Sequence, residues 1–160
     1  MSRLDTFINR MCAQRDILNH VARDLGLPPD GAVLEVGLGN GRTYSHLREL
    51  FPDRRIVAFD RALNAHRTLL PDEKDFVMGE ISETGKGFAG SGAALVHADI
   101  GTGYPDRDAI ILSWLPDLVA AMLQSDGYAV SGLPLAHSDL LAIQRLPSVE
   151  EGRYFMYRRV

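Results

Sequence analysis

One cysteine in 160 residues leaves no partner for an internal disulfide. That excludes a stapled extracellular scaffold, and Cys12 reads as a small core residue in a chain suited to a reducing cytoplasm. No apolar run approaches the roughly 18–20 residues needed to cross a bilayer. Met1-Ser2-Arg3-Leu4-Asp5 carries charge where a secretory leader would be apolar, so no membrane partner is expected. Positive charge is also scarce: 17 Lys and Arg stand against 21 Asp and Glu, a net charge of −4. Basic residues are scattered apart from short pairs at Arg54-Arg55 and Arg158-Arg159. Nucleic-acid enzymes usually carry a basic footprint, so no nucleic-acid partner is expected. The histidines His20, His46, His66, His97 and His137 show neither an H-x-x-x-H spacing nor a cysteine partner, so no metal site is expected. Gly85-Lys86-Gly87 lacks the P-loop spacing, and no G-x-S-x-G elbow occurs. There is no repeat, low-complexity tract or linker, so residues 1–160 read as one domain, with 1–29 as an N-terminal helix and cover.

Hydrophobic residues make up 46% of the chain, enough to bury a core without staples. Leu4, Phe7, Ile8, Met11, Leu18, Val21, Ala22 and Leu25 recur at helical spacing, and Gly26 with Pro28-Pro29 ends that pattern. Beyond it, apolar runs at 32–36, 55–59, 76–78, 93–98 and 128–131 predict strands. They alternate with helical patterns at 42–51, 62–70 and 106–124, the last interrupted by Pro116, which should kink or split it. The glycines between 82 and 92 predict a mobile connection. Two further β-like runs, 140–145 and 153–158, suit an antiparallel pair at a sheet edge. The fold class expected is α/β, a doubly wound and mostly parallel sheet with an antiparallel C-terminal strand.

The most specific stretch is Val33-Leu34-Glu35-Val36-Gly37-Leu38-Gly39-Asn40-Gly41, followed by a helical pattern and then Ile56-Val57-Ala58-Phe59-Asp60. A buried strand, a glycine turn, a helix and a second strand ending in an acid form a nucleotide-binding βαβ unit. A dinucleotide fingerprint would need glycine at position 42, which is Arg42. The third glycine instead comes one residue early, at Gly41. This E-x-G-x-G-x-G resembles motif I of the class I S-adenosylmethionine-dependent methyltransferases, a resemblance covering roughly residues 30–160.

The resemblance implies S-adenosyl-L-methionine as cofactor and a Rossmann-like fold. The implied cofactor pocket comprises Gly37, Leu38, Gly39 and Gly41 in the turn, with Asp60 on the ribose hydroxyls and Arg61 beside it. Glu35 would orient the methionine end. Glu80 would accept from the adenine amino group while Ile81 packs on the ring. Asp99 would contact the cofactor amino group or the acceptor, and His97, on the same side of its strand, is the candidate base. The Asn-Pro-Pro-Tyr signature for amide and adenine nitrogens is absent, since residues 98–104 read Ala-Asp-Ile-Gly-Thr-Gly-Tyr. Substrate-side insertions are missing too, and only Gly132–Asp139 separates the fifth strand from the tail. The missing insertions leave few residues to build an acceptor site, while the acidic charge and the absent signature favour a small or protein acceptor over nucleic acid. The resemblance implies methyl transfer to a small-molecule acceptor, with Tyr104 or the N-terminal helix closing the pocket. Trp114 reads as core. A homo-oligomer is a further expectation, because the aromatic tail (Tyr154, Phe155, Tyr157) and the open sheet edge call for cover. Two rival readings are a non-catalytic module that binds the same cofactor and an NAD-dependent oxidoreductase; Arg42 weighs against the latter.

Overall fold

A computed structural model describes residues 1–160. The chain opens with helix α1 (Arg3–His20), prolonged by a π-helical turn over Val21–Leu25. A capping box starts it: the Ser2 hydroxyl accepts from the Asp5 backbone N–H, and the Asp5 carboxylate accepts from the Ser2 N–H, both at 3.0 Å. Gly26, at φ 75°, ends it.

Strands β1 (Val33–Val36), β2 (Ile56–Asp60), β3 (Phe76–Met78), β4 (Ala93–Ala98), β5 (Leu123–Ser131), β6 (Leu140–Ala142) and β7 (Phe155–Arg159) make one sheet in the order β3-β2-β1-β4-β5-β7-β6. The first five run parallel, and β7 lies antiparallel between β5 and β6. Reversal of strand order at β1 and β4 opens a crevice at their carboxyl ends, where ligands bind in such sheets. Helix α2 (Arg42–Leu50) follows the glycine turn.

Both sheet faces are covered. Leu34, Val36, Val57, Phe59 and Val96 pack against one layer, which includes the short helix α3 (Ile81–Thr84) and helix α5 (Leu115–Met122). Val33, Ile56, Ala58 and Leu95 pack against Ile17, Leu18 and Val21 at the end of α1 and Leu47 on α2. Burying a Leu or Ile side chain contributes about 1.5–3 kcal/mol, so the α1 face holds the N-terminal helix firmly on the sheet. Alternation then decides the polar layout. Glu35 and His97 share their face with Val33 and Leu95, so both point beneath α1, and the β1–β4 register sets them side by side.

Three expected elements are corrected, and the split of the 106–124 pattern at Pro116 is borne out. Residues 62–70 form no helix: Leu63 and Leu70 stay exposed, so there is no apolar face to bury, and so short a helix is marginal without one. The glycine-rich 82–92 stretch is not an open connection but α3 followed by a 3₁₀ turn over Gly85–Phe88. A Cβ on Gly85 would stand 2.6 Å from Leu118 Cδ2, so this glycine permits close packing on α5, and Phe88 meets Phe59 edge-to-face at 4.9 Å. The 106–124 pattern divides into α4 (Pro105–Leu112) and α5, with Pro116 in the first turn of α5, where a missing N–H costs nothing. β5 begins at Leu123 rather than Tyr128, passing through Asp126 at φ 66°. The antiparallel tail pair forms as expected, though β6 is shorter. Tyr154 and Tyr157 are buried within the chain itself, which removes the aromatic argument for a homo-oligomer. No helix is long and apolar enough to cross a membrane.

Candidate active site

The three turn glycines have three different jobs. A Cβ on Gly37 would lie 2.6 Å from Ile100 Cγ2 and 2.9 Å from the Asp99 carbonyl oxygen, so this glycine lets β1 and β4 close up at their tips. At Gly39, φ 53°, a Cβ would meet nothing within 4 Å, because that side is open cavity. At Gly41, φ 88°, a Cβ would stand 2.9 Å from Leu69 Cβ, so this glycine seats the irregular 62–70 segment against α2. Asp60 locks the turn from the neighbouring strand: Gly39 N–H donates to its Oδ2 at 2.9 Å and Arg61 N–H to its Oδ1 at 2.8 Å. The oxygens keep further lone pairs for a ligand.

Above this turn lies a cavity of about 440 Å³, within the range of small-molecule sites. Every residue expected in the cofactor pocket lines it except Gly41: Glu35, Gly37, Leu38 and Gly39 from the β1 end, Asp60 and Arg61 from β2, Glu80 and Ile81 after β3, and Asp99 after β4. Arg61 and Glu80 form an exposed ion pair at 3.5 Å. Phe7, Arg10 and Met11 of α1 supply a wall, as expected of the N-terminal helix. Tyr104 does not line the cavity; it stands exposed beside the Arg107 guanidinium, 4.9 Å from the ring centroid. Trp114, expected in the core, packs against the core and also lines the cavity.

Beneath the cavity runs a buried polar chain. The Tyr154 hydroxyl lies 2.5 Å from His97 Nε2, and His97 Nδ1 lies 2.7 Å from Glu35 Oε2. Gln14, one turn after Arg10 on α1, donates from Nε2 to the Tyr154 hydroxyl at 3.0 Å and to Asp99 Oδ2 at 3.1 Å. Its Oε1 accepts from the Thr43 hydroxyl at 2.5 Å. Arg10 Nη2 donates to both Asp99 oxygens, at 2.5 and 2.6 Å. When the ring is neutral, the Tyr154 hydrogen goes to His97 Nε2, since Gln14 Nε2 can only donate, and Nδ1–H donates to Glu35. Both ring nitrogens of His97 are engaged and the residue is fully buried away from the cavity wall. The ring therefore does not face the cavity, where its place on the strand would present it as a base.

Burial pushes the Glu35 carboxyl above its ordinary range, and the adjoining ring offsets this only in part. For His97 burial opposes the charge, but the Glu35 carboxylate overcomes it and raises the ring. The pair therefore holds protons to higher pH than its free components. Burial first, with Asp99 adding to it, lifts the Tyr154 phenol well above its ordinary value, so it stays a hydroxyl. One oxygen of this chain has no partner: Glu35 Oε1, buried at the cavity edge. An orphaned buried carboxylate oxygen costs about 1–3 kcal/mol or more unless something pairs with it.

Residues 1–159 match the S-adenosyl-L-methionine methyltransferase family. The chain belongs to that family. Over 99% of both chains it is 38% identical to the S-adenosyl-L-methionine methyl transferase from Silicibacter pomeroyi, with a TM-score of 0.88. Two more distant structures share the fold. The antibiotic-resistance methyltransferase Kmr is 12% identical over 91% of this chain and 92% of that one, with a TM-score of 0.57. A 16S rRNA adenine methyltransferase from Catenulisporales acidiphilia, solved with its cosubstrate, is 14% identical over 82% and 85%, with a TM-score of 0.56. No curated protein matches significantly. The methyltransferase uses S-adenosyl-L-methionine, and its residues fit that molecule. The open side of Gly39 admits a ligand against the backbone, and Glu35 Oε1 stands ready for a cationic group.

Arg10, Gln14, Thr43 and Tyr154 were missed in the sequence. The only available signal was the i, i+4 placement of Arg10 and Gln14 on the buried face of α1, in line with Ile17, Leu18 and Val21.

Proposed function

We propose that this methyltransferase transfers a methyl group to a small-molecule acceptor that enters beside Asp99. The cofactor supplies an electrophilic methyl group on a sulfonium, already a good leaving group. Asp60 holds the ribose hydroxyls with the lone pairs that Gly39 and Arg61 leave free. Ile81 packs on the adenine and Glu80 accepts from its amino group. Glu35 Oε1 and Asp99 take the ammonium of the methionine end, with Glu35 held in place by His97 and Tyr154. The chain's task is alignment of nucleophile, methyl and sulfur, which holding the reactants in register accomplishes.

The observation that carries this reading is the unpartnered Glu35 Oε1 at the edge of a cavity that gathers nine of the residues the resemblance implies. A small acceptor is supported by the wall that Phe7, Arg10 and Met11 raise over the strand tips. The net charge of −4 supports it as well, since it gives nucleic acid no electrostatic footprint. The lone Cys12 supports a cytoplasmic setting. Calorimetry with S-adenosylhomocysteine and with NAD tests the site: the former should bind and raise the melting temperature, and equal stabilisation by NAD would sink the reading. Release of S-adenosylhomocysteine with ribosomal RNA but with no small molecule would overturn the acceptor class.

A further inference from the structure

A second cavity, of about 480 Å³, adjoins the first and shares Arg10, Asp99 and Thr102 with it. Its floor is backbone: Gly101, Gly103, Gly132 and Gly152 line it, and Gly103 and Gly152, at φ 78° and 75°, have nothing within 4 Å where a Cβ would stand. At Gly132 a Cβ would lie 3.3 Å from Asp99 Oδ1, so this glycine leaves that carboxylate its room. Leu133 is the one apolar lining residue, and no aromatic ring faces in. An extruded nucleobase is held chiefly by stacking, and this cavity offers no aromatic ring for it, while its two guanidiniums are tied to Asp99 and Glu150.

Its charge selects the ligand. The lining carries three carboxylates, Asp99, Asp108 and Glu151, and two guanidiniums, Arg10 and Arg153. Arg10 is committed to Asp99, and Arg153 donates to Glu150 at 2.7 Å. Asp108 Oδ1 accepts from the Thr102 N–H at 2.7 Å and hydroxyl at 2.8 Å. Glu151 has no hydrogen bond and no ion pair. The charge left over for a ligand is therefore negative.

Resting on the methyltransferase reading above, we propose that this second cavity is the acceptor site and that its acceptor is a small alkylamine. The amine loses a proton to bulk water and presents its lone pair past Asp99. Its nitrogen forms the new N–C bond while the C–S bond breaks, the electron pair leaving on sulfur. The product departs as a methylated ammonium and S-adenosylhomocysteine as a neutral thioether. Positive charge thus moves from sulfur onto nitrogen during the step. Glu151 and Asp108, on the nitrogen's side, favour the transition state over the neutral amine, which is where binding energy speeds a reaction. An anionic acceptor, carboxylate or phosphodiester, meets the same field as repulsion.

The test uses the whole protein saturated with S-adenosylhomocysteine for calorimetric binding of 1,4-diaminobutane, and turnover assays with that amine, 2-aminoethanol, lysine amide, glycolate and a short single-stranded RNA. Binding of the diamine is expected, together with turnover by amines alone. Their kcat/KM should rise about tenfold per pH unit between pH 7 and 9, as the free-base fraction of an alkylamine does. Glu151→Gln, an exposed change that leaves the fold alone, should weaken diamine binding roughly two- to fivefold, the range of exposed ion pairs. No binding or turnover with any of the three amines overturns the proposal, as does methylation of glycolate or RNA or an unchanged Glu151→Gln. If S-adenosylhomocysteine itself fails to bind, the methyltransferase-site reading is what fails.

Discussion

Tyr154→Phe isolates the buried chain beneath the cavity, because it deletes one oxygen and leaves the ring in its packing. The hydroxyl has two partners, His97 Nε2 at 2.5 Å and Gln14 Nε2 at 3.0 Å, in a residue 3% exposed. Its loss strands an acceptor on His97, which is wholly buried, and one N–H on Gln14. Each stranded buried group costs about 1–3 kcal/mol. Two of them give about 2–4 kcal/mol once local relaxation is allowed. In a domain of this size each kcal/mol moves the melting temperature by about 2–4 °C, so a fall of roughly 5–15 °C is expected. Urea melts should show the midpoint lowered with the slope unchanged. Tyr157→Phe is the internal control: that hydroxyl accepts one bond, from the Leu135 N–H at 2.8 Å, so its loss strands one group and costs about half as much. A Tyr154→Phe protein that melts within a degree of wild type, or above Tyr157→Phe, would refute the claim that the chain is a paired unit.

Other outcomes follow from the same geometry. Glu35 and His97 both have raised folded values, against ordinary ones of 4.5 and 6.5, so the folded state holds more protons as pH climbs through this range. Wild type should therefore lose stability relative to Glu35→Gln from about pH 5 upward past pH 7; a flat difference in thermal melts would contradict this. Gly39→Ala should fold nearly normally but lose S-adenosylhomocysteine affinity at least about tenfold, a loss on the order of 1.4 kcal/mol. Gly41→Ala should lose stability by about 1–3 kcal/mol from strain and the Leu69 contact, yet bind in its folded fraction, and calorimetry beside thermal melts separates the two. Asp60→Ala should weaken the cofactor by about 1.5–3 kcal/mol and also cost stability, since Gly39 N–H loses its acceptor; unchanged calorimetric affinity would leave Asp60 only its role in the turn. Asp99→Asn should lower turnover more than S-adenosylhomocysteine affinity, and equal losses would make Asp99 a cofactor ligand alone.

The features legible in the sequence were those written in consecutive residues. The strand, glycine turn, helix and second strand of residues 33–60 announce themselves because a tight βαβ unit imposes its pattern locally. Residues 62–70 misled because apolar spacing predicts a helix only where a buried face awaits it, and Leu63 and Leu70 have none. The glycines at 85 and 87 misled in the opposite sense: Gly85 makes room for Leu118, a fact about a helix more than thirty residues away. The polar chain was out of reach for the same reason. Glu35 and His97 become neighbours only through the β1–β4 register, and Gln14 finds Asp99 and Tyr154 only after α1 has folded back over the strand tips.

That long reach bears on how the enzyme comes into being on the ribosome. Gln14 and Tyr154 are 140 positions apart, and β7 must slot between β5 and β6 to bring Tyr154 to His97. A nascent chain that has released β1 through β5 already owns the glycine turn, Asp60 and Asp99. It still has His97 Nε2 and the Gln14 N–H unanswered, and the Glu35 carboxylate at the cavity edge stands unbraced. Contacts so distant along the chain form late and slowly. The cofactor, which rewards only the completed fold, can therefore draw the final strand home but cannot help begin the process.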